Sequence, residues 1–506
     1  MLPLLLTSLD SCDSAEDFRG LTLCLNNIHS IISTPVLELY KIKAKELIDS
    51  GIINTNTEAS ILKALCFLNL PHWSKYNFEI VNLLCQLLKN SIKTLDVSDI
   101  ISLHKVFQSY LSPMHVMVSV KDRASELLEK SKNDDRVSTF LKIPDLLFCQ
   151  VTGAAPNNRQ RFEEISNKFM KFSFPTAHVP LYKILRYIKS PDLSVCDKFW
   201  LQTSVLIKKF PLDDYRLLRI SQKYMYFYSN VHELYRCAPF EKEIFSKFMT
   251  VENSLAIMLP GKLSRITAFC LAYGLCNPNF PNHDMLNLLI TKLEEMSTQL
   301  DHLSCLILSK GLYISSLITK HRYTTTKEAR FVTRIDTILD NCASLHIKLP
   351  HYSTLTDLNI ICKTFLNRGA RFDTDRFNDL LVKYSQVDEN FASRTIRDAA
   401  YNLICCSVVV PPLFDRLIDY IVKQGDDLLG DSAQKILQLC YITAYQPKNE
   451  RYFQVSIDLI VRDKELLSGL TLLQACLELC YFGCLPDLLV KYIFSIEFME
   501  RLDQEM

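Results

Sequence analysis

The sequence predicts an all-α fold, an α-solenoid of stacked helix–turn–helix repeats of about 40 residues. Three observations predict it. Apolar residues recur at i, i+3, i+4 and i+7 along nearly the whole chain, alternating strand patterns are scarce, and the helical segments come in pairs with a repeated register. The chain has 506 residues, too many for one compact core, so several domains or one elongated array are required. Hydrophobic residues make up 48% and charged residues 22%, the balance of ordered globular protein.

The stripes are plain in "ILKALCFLNL" (61–70), "EIVNLLCQLLKNSI" (79–92), "DRFNDLLVKYSQV" (375–387) and "LFDRLIDYIVKQG" (413–425). The best strand candidate, "CSVVVPP" (406–412), ends in two prolines and reads as a helix C-terminus. The pairs align on a cysteine in the first helix of each, at Cys66, Cys149, Cys270, Cys362, Cys405, Cys440 and Cys480, with Val106–Phe107 in the equivalent place between the first two. The steps 362→405→440→480 are 43, 35 and 40 residues. Each unit is a helix, a polar turn, a second amphipathic helix and a charged linker. No unit buries its apolar face alone, whereas stacked neighbours do. The aligned cysteine, a small hydrophobe, is expected where neighbouring helices pack closely. We divide the chain into a helical-repeat array at 1–430 and a distinct C-terminal helical segment at 431–506.

Composition excludes several classes. Only 11 Gly are present, about a third of average usage, against glycine-rich phosphate loops and many-turned β architectures. The 18 Cys are scattered in apolar contexts without a CxxC, so a reducing compartment is expected. The N-terminal "MLPLLLTSLDSCDSAEDF" lacks a basic flank and meets Asp10 and Asp13 at once, a poor signal or transit peptide. No uncharged apolar run is long enough to span a bilayer. Net charge is +1, but residues 159–223 hold 13 Lys+Arg against 6 Asp+Glu and residues 450–506 hold 5 against 10. The middle is basic and the end acidic.

No P-loop, dinucleotide fingerprint, zincin helix, nucleophile elbow or kinase catalytic loop is present. "HRYTTTK" (321–327) has Tyr where a catalytic Asp is needed, and "VRDKELL" (461–467) has the wrong spacing for a nuclease Glu-x-Lys. No enzyme activity, metal or cofactor is expected. Cys476, Cys480 and Cys484, at i, i+4 and i+8, read as a buried small-residue stripe rather than a zinc site. His283, His302, His321, His346 and His351 share no ligand spacing and read as surface or capping residues.

Basic and aromatic residues interleave in "KKFPLDDYRLLRISQKYMYFY" (208–228). On a helix Arg216, Arg219 and Lys223 form one stripe, followed by Tyr224, Tyr226 and Tyr228. Single-stranded nucleic acid asks for this mixture, cations for phosphates and rings for exposed bases. "FLNRGARFDTDRF" offers Arg368, Arg371 and Phe372, and "SRTIRDAAYN" offers Arg394, Arg397 and Tyr401. The expected phosphate contacts are Arg216, Arg219, Lys223, Arg368, Arg371, Arg394 and Arg397, with Tyr224 and Phe372 stacking on bases. For any one stripe the plainer alternative is a solvated helix face with core tyrosines.

The end of the chain is more specific. "LPDLLVKYIFSIEFMERLDQE" (485–505) resembles a segment of the FAST kinase domain-containing family, with Phe494-Ser495, Phe498, Leu502 and Asp503 at the signature places and Pro486 and "LCYFG" fitting upstream. The resemblance covers the last 35 residues or so; the rest matches in architecture only. It implies a mitochondrial RNA-binding protein acting in processing, stability or translation of mitochondrial transcripts, with single-stranded RNA and RNA-processing proteins as partners and without kinase chemistry. In that family a second FAST segment and an α/β RAP domain follow, and both are absent from this sequence, so a truncated or tail-less member is expected. The mitochondrial matrix is the implied location, with cytoplasm or nucleus as alternatives. A protein-scaffolding solenoid with no nucleic-acid role is the competing reading, favoured by the near-zero net charge.

Overall fold

The computed structural model describes residues 7–27, 34–68, 78–89, 91–109, 114–131, 178, 181–182, 185, 193–212, 214–232, 235–250, 255, 257–275, 283–319, 326–348, 355–371, 374–386, 393–425, 428–465 and 467–505. These residues build an all-α protein with no strand among them. In order, the helices are α1 (Ala15–Asn27), α2 (Thr34–Asp49), α3 (Glu58–Leu68), α4 (Phe78–Leu88), α5 (Val97–Ser109), α6 (Met114–Ser131), α7 (Leu193–Ile207), α8 (Tyr215–Asn230), α9 (Ala238–Phe248), α10 (Pro260–Phe269), α11 (His283–Glu295), α12 (His302–Ile318), α13 (Thr326–Lys348), α14 (Leu355–Arg368), α15 (Thr374–Tyr384), α16 (Ser393–Cys406), α17 (Pro411–Gln424), α18 (Gly430–Ile442), α19 (Arg451–Arg462), α20 (Gly469–Tyr481), α21 (Asp487–Ile493) and α22 (Ile496–Glu505). Among the described residues no helix is long and apolar enough to cross a membrane.

The boundaries follow local chemistry. The side chains of Asp214, Asp301 and Ser468 accept from the backbone N–H of Arg216, Ser304 and Thr471, capping α8, α12 and α20. Pro260 and Pro411 open α10 and α17, where a missing N–H costs nothing. The "CSVVVPP" segment is not a strand: Cys406 ends α16, Ser407 turns the chain at φ 52°, and Pro411 opens α17. Helix α20 ends in a left-handed Gly483 (φ 68°), with the N–H of Cys484 donating to the carbonyl of Leu479 and that of Gly483 to Cys480. Helix α18 ends the same way with Ala444 at φ 51°, Tyr445 N–H donating to Cys440 and Ala444 N–H to Tyr441. The same stop thus recurs one helix pair apart.

Two compact units emerge. One comprises Met1–Ala154, Asn390–Ala400 and Leu417–Met506, the other Ala155–Glu389 and Tyr401–Arg416. In the first, α1 packs on α3 and α3 on α5, and in its C-terminal part α18 packs on α20 and α20 on α22. The second shows two layers most clearly. Helices α8, α10, α12 and α14 pack successively on one another, while α7 packs on α9, α11 on α13 and α13 on α15. Contact between every second helix is what stacking helix pairs requires. Gly311 marks how close the first layer packs, since a Cβ there would stand 2.6 Å from the carbonyl oxygen of Ala268. Beyond Ala268 and Phe269, the helix widens into a π-helical turn at Cys270–Gly274.

The core of the second unit is aromatic. Trp200 meets Tyr224 and Phe240 at ring separations of 4.8 and 4.9 Å, and Tyr224 meets Tyr273 at 5.1 Å. The repeat register of cysteines holds in part. Cys270, Cys362 and Cys440 are buried, as expected of a small hydrophobe between helices. Cys405 and Cys480 are exposed and Cys66 is intermediate; Cys406 and Cys476 take the buried places instead, so the sequence register slips by one residue and by four. The Cys476/Cys480/Cys484 stripe is likewise not buried throughout: Cys476 is buried, Cys480 on the same helix is exposed, and Cys484, past the end of α20, is half-buried. Cys149 lies outside the described residues, as do His321 and His351.

Candidate nucleic-acid interface

The four helices of the first layer in the second unit are unusual in charge. Helices α8, α10 and α12 contain no Asp or Glu, and α14 contains only Asp357. Against that single acid stand eight cations: Arg216, Arg219, Lys223, Lys262, Arg265, Lys310, Lys363 and Arg368. The helices of the second layer, α7, α9, α11, α13 and α15, carry eleven acids and ten cations, nearly balanced. Charge therefore separates by layer, which a net charge near zero conceals.

A groove of about 400 Å³ opens on this layer, lined from α8 by Gln222, Met225, Tyr226 and Asn230, from α12 by Leu306, Ile307 and Lys310, and from α14 by Lys363 and Asn367. Among the described residues no acid lines it. The helical period explains the α8 contribution. Arg219, Gln222, Lys223, Tyr226 and Asn230 fall on one face, while Leu217, Tyr224, Phe227 and Tyr228 turn into the core. The Lys310 Nζ stands 4.9 Å from the Tyr313 ring centre, and burial lowers its pKa. Asn367 Nδ2 donates to Ser309 Oγ at 3.1 Å, tying α14 to α12 at the groove wall.

The residues expected to bind phosphates and bases divide into several fates. Arg216 is exposed; its guanidinium pairs with Asp214 at 2.7 Å, stands 4.4 Å from the Phe210 ring, and keeps Asp214 below the usual carboxylate range. Arg219 is exposed. Lys223 lies 4.8 Å from the Tyr182 ring, whose hydroxyl donates to the Lys223 carbonyl at 3.0 Å. These three form the stripe read from the sequence.

Tyr224 is a correction. Its side chain is 0% exposed, its hydroxyl donates to Glu241 Oε1 at 2.8 Å and accepts from the Cys237 N–H at 2.6 Å, and it stacks on no external base. Tyr226, two residues on and 37% exposed, carries the accessible ring. Arg368 is a second correction. It is 2% exposed and bonds Asp336 at 2.9 Å and Asp340 at 2.8 Å, so it clamps α14 onto α13 instead of meeting a phosphate. Arg371 approaches Asp336 at 3.6 Å beside it. Phe372 lies outside the described residues, and Arg394 sits on α16 with its side chain likewise outside them. Arg397 belongs to the first unit, where it bonds Asp431 at 2.8 Å; coulombic pull from Asp431 and its hydrogen bond outweigh burial and raise its pKa.

Sequence reasoning missed Gln222, Asn230, Lys310, Lys363 and Asn367. The available signal was the absence of acids from "HLSCLILSKGLYISSLI", where Lys310 is the one Lys or Arg. Among the described residues no group of three or more His, Cys, Asp or Glu could hold a metal ion. His302 and His346 are neither surface nor capping pairs: their rings pack at 4.1 Å, His346 Nε2 bonds the Leu300 carbonyl at 3.1 Å, and burial, with the neighbouring His346, pushes His302 down to about 4.

At the C-terminal end, the segment around Phe494 is ordered by its own chemistry. Pro486 precedes α21, Ser495 Oγ accepts from the Phe498 N–H at 3.3 Å to cap α22, and Phe498 is buried against Tyr492. Phe494 is 79% exposed. The fold and the groove define a helical protein with a basic, amide-rich face. No family model matches the chain, and no curated protein matches it either.

Proposed function

We propose that this chain is a single-stranded RNA-binding helical-repeat protein whose basic first layer runs along the phosphates. The observation that carries the reading is the segregation of charge on α8, α10, α12 and α14, where seven cations besides the buried Arg368 stand against the single Asp357. Phosphate neutralisation supplies most of the affinity in such an arrangement. A layered stack of helices presents an extended surface suited to a strand. The likeness of residues 485–505 to the FAST kinase domain-containing family supports membership of that family, a place in the mitochondrial matrix, and a role in processing, stability or translation of mitochondrial transcripts.

Competition between unstructured RNA, duplex RNA and an acidic peptide for the purified chain tests the reading. Displacement by unstructured RNA alone is expected. Equal displacement by the acidic peptide would reduce the face to a general anion surface.

A second reading has one observation behind it. Leu470, Leu477 and Tyr481 lie exposed along one side of α20, and Phe494 and Ile496 are exposed beyond it. An apolar stripe of this kind fits a protein partner. Substituting Leu477 and Tyr481 by polar residues separates the two roles, since partner capture falls while RNA affinity does not.

A further inference from the structure

The groove differs from the rest of the basic face in being built to hold more than charge. Its floor is apolar, from Met225, Leu306 and Ile307, and its rim is polar. A volume of about 400 Å³ lies in the range of small-ligand sites. A phosphate alone asks for no apolar floor and no aromatic wall. An unpaired nucleotide asks for both, because an unstacked base needs a face to rest on.

We infer that the groove between α8, α12 and α14 is a subsite for one unpaired nucleotide of an RNA strand, its base against Tyr226 over the apolar floor and its phosphate held by Lys310 and Lys363. The division of labour follows from the chemistry of the lining. Tyr226 is the exposed ring of α8 that lines the groove, and every base has a π-face to offer it. Lys310 and Lys363 reach the groove from neighbouring helices of the layer and meet no carboxylate among its described lining residues. Gln222 and Asn230 bracket Tyr226 on the same helical face and supply amide donors and acceptors for a base edge or a ribose hydroxyl. Asn367 is held by its bond to Ser309, so the α14 wall is fixed before a ligand arrives.

This inference rests on the RNA-binding reading, and its test separates the two. The full chain is titrated with a labelled oligouridine and with the same ribose-phosphate backbone lacking bases, using wild type, Tyr226→Ala, Tyr226→Phe and Lys310→Gln. Removing the bases is expected to weaken the wild type by about tenfold. Tyr226→Ala should weaken oligouridine binding to a similar extent and then be indifferent to base removal, while Tyr226→Phe behaves as wild type. Lys310→Gln should weaken both ligands alike. Because Tyr226 is partly exposed and its Phe variant keeps the ring, a folding defect shows up as loss in both variants and in the melting curve. If the wild type binds both ligands equally, or Tyr226→Ala stays as sensitive to base removal as wild type, the subsite is wrong and the broader RNA reading stands. If no variant and no wild type binds oligouridine at low salt, both fall.

Discussion

Gly311 lies against Ala268 so closely that α10 and α12 meet backbone to backbone, with an added Cβ placed 2.6 Å from the Ala268 carbonyl oxygen and 2.9 Å from its Cα. The contact sets the spacing of the layer in which Lys310 sits. Gly311→Ala forces the helices apart, and overpacking of this kind costs about 1–3 kcal/mol. A lowered melting temperature is expected, together with weaker binding at the groove beside it. A variant with unchanged melting temperature would mean the layer does not pack as described.

Arg368 holds two carboxylates from the preceding helix, Asp336 and Asp340, in a setting where its own side chain is wholly covered. Burial lifts the Asp336 carboxyl above its ordinary range even beside Arg368 and Arg371. Arg368→Gln removes the compensating charge and costs about 3 kcal/mol, as does breaking one side of other buried pairs. Denaturant unfolding measures it. The same substitution leaves the RNA affinity of the folded protein unchanged, whereas a phosphate-contact role would predict the reverse pattern.

Ala444 and Gly483 occupy the same left-handed position at the ends of α18 and α20. An L-residue with a Cβ pays roughly 1 kcal/mol there that glycine avoids. Ala444→Gly should therefore stabilise the protein by up to about 1 kcal/mol, and Gly483→Ala should destabilise it by a similar amount. Thermal melts of the two single variants check both signs.

Glu478 is buried on α20 and hydrogen-bonded at 3.2 Å by Gln434 Nε2 from α18. Burial raises its pKa to about 8, outweighing the opposing hydrogen bond. The folded state thus binds this proton more tightly than the unfolded state. Its contribution to stability is full below the ordinary glutamate range and is lost as pH rises through about 8. Glu478→Gln should flatten the fall of melting temperature between about pH 4.5 and pH 8. An unchanged pH profile would place the titration elsewhere.

The fold was legible because the 3.6-residue period runs through the whole chain, and proline and glycine mark the ends of helices such as α17 and α20. Half of the α8 site was legible for the same reason. The period placed Arg219 and Lys223 on one face, but it was not followed through to Gln222, Tyr226 and Asn230 on that face or to Tyr224, which it turns inward. Lys310 and Lys363 carry no such local signal, since they share a groove only because α12 packs on α14. Arg368, in the last turn of its helix, looked like a surface cation. Asp336 and Asp340, spaced to receive it, lie one helix earlier, and only packing joins them. The cysteine register slipped at Cys405 and Cys480 because a neighbouring cysteine or one a turn away filled the same packing role.

The central claim is that the first layer binds RNA through cations that include Arg219, Lys310 and Lys363. The most direct measurement compares the salt dependence of single-stranded RNA binding for wild type and for the triple variant Arg219→Gln, Lys310→Gln, Lys363→Gln. The wild type is predicted to show a clearly negative slope of log K against log salt, and the variant a slope shallower by about 2, the share of three phosphate contacts on a single strand. Equal slopes, or no binding by the wild type at low salt, would contradict the account.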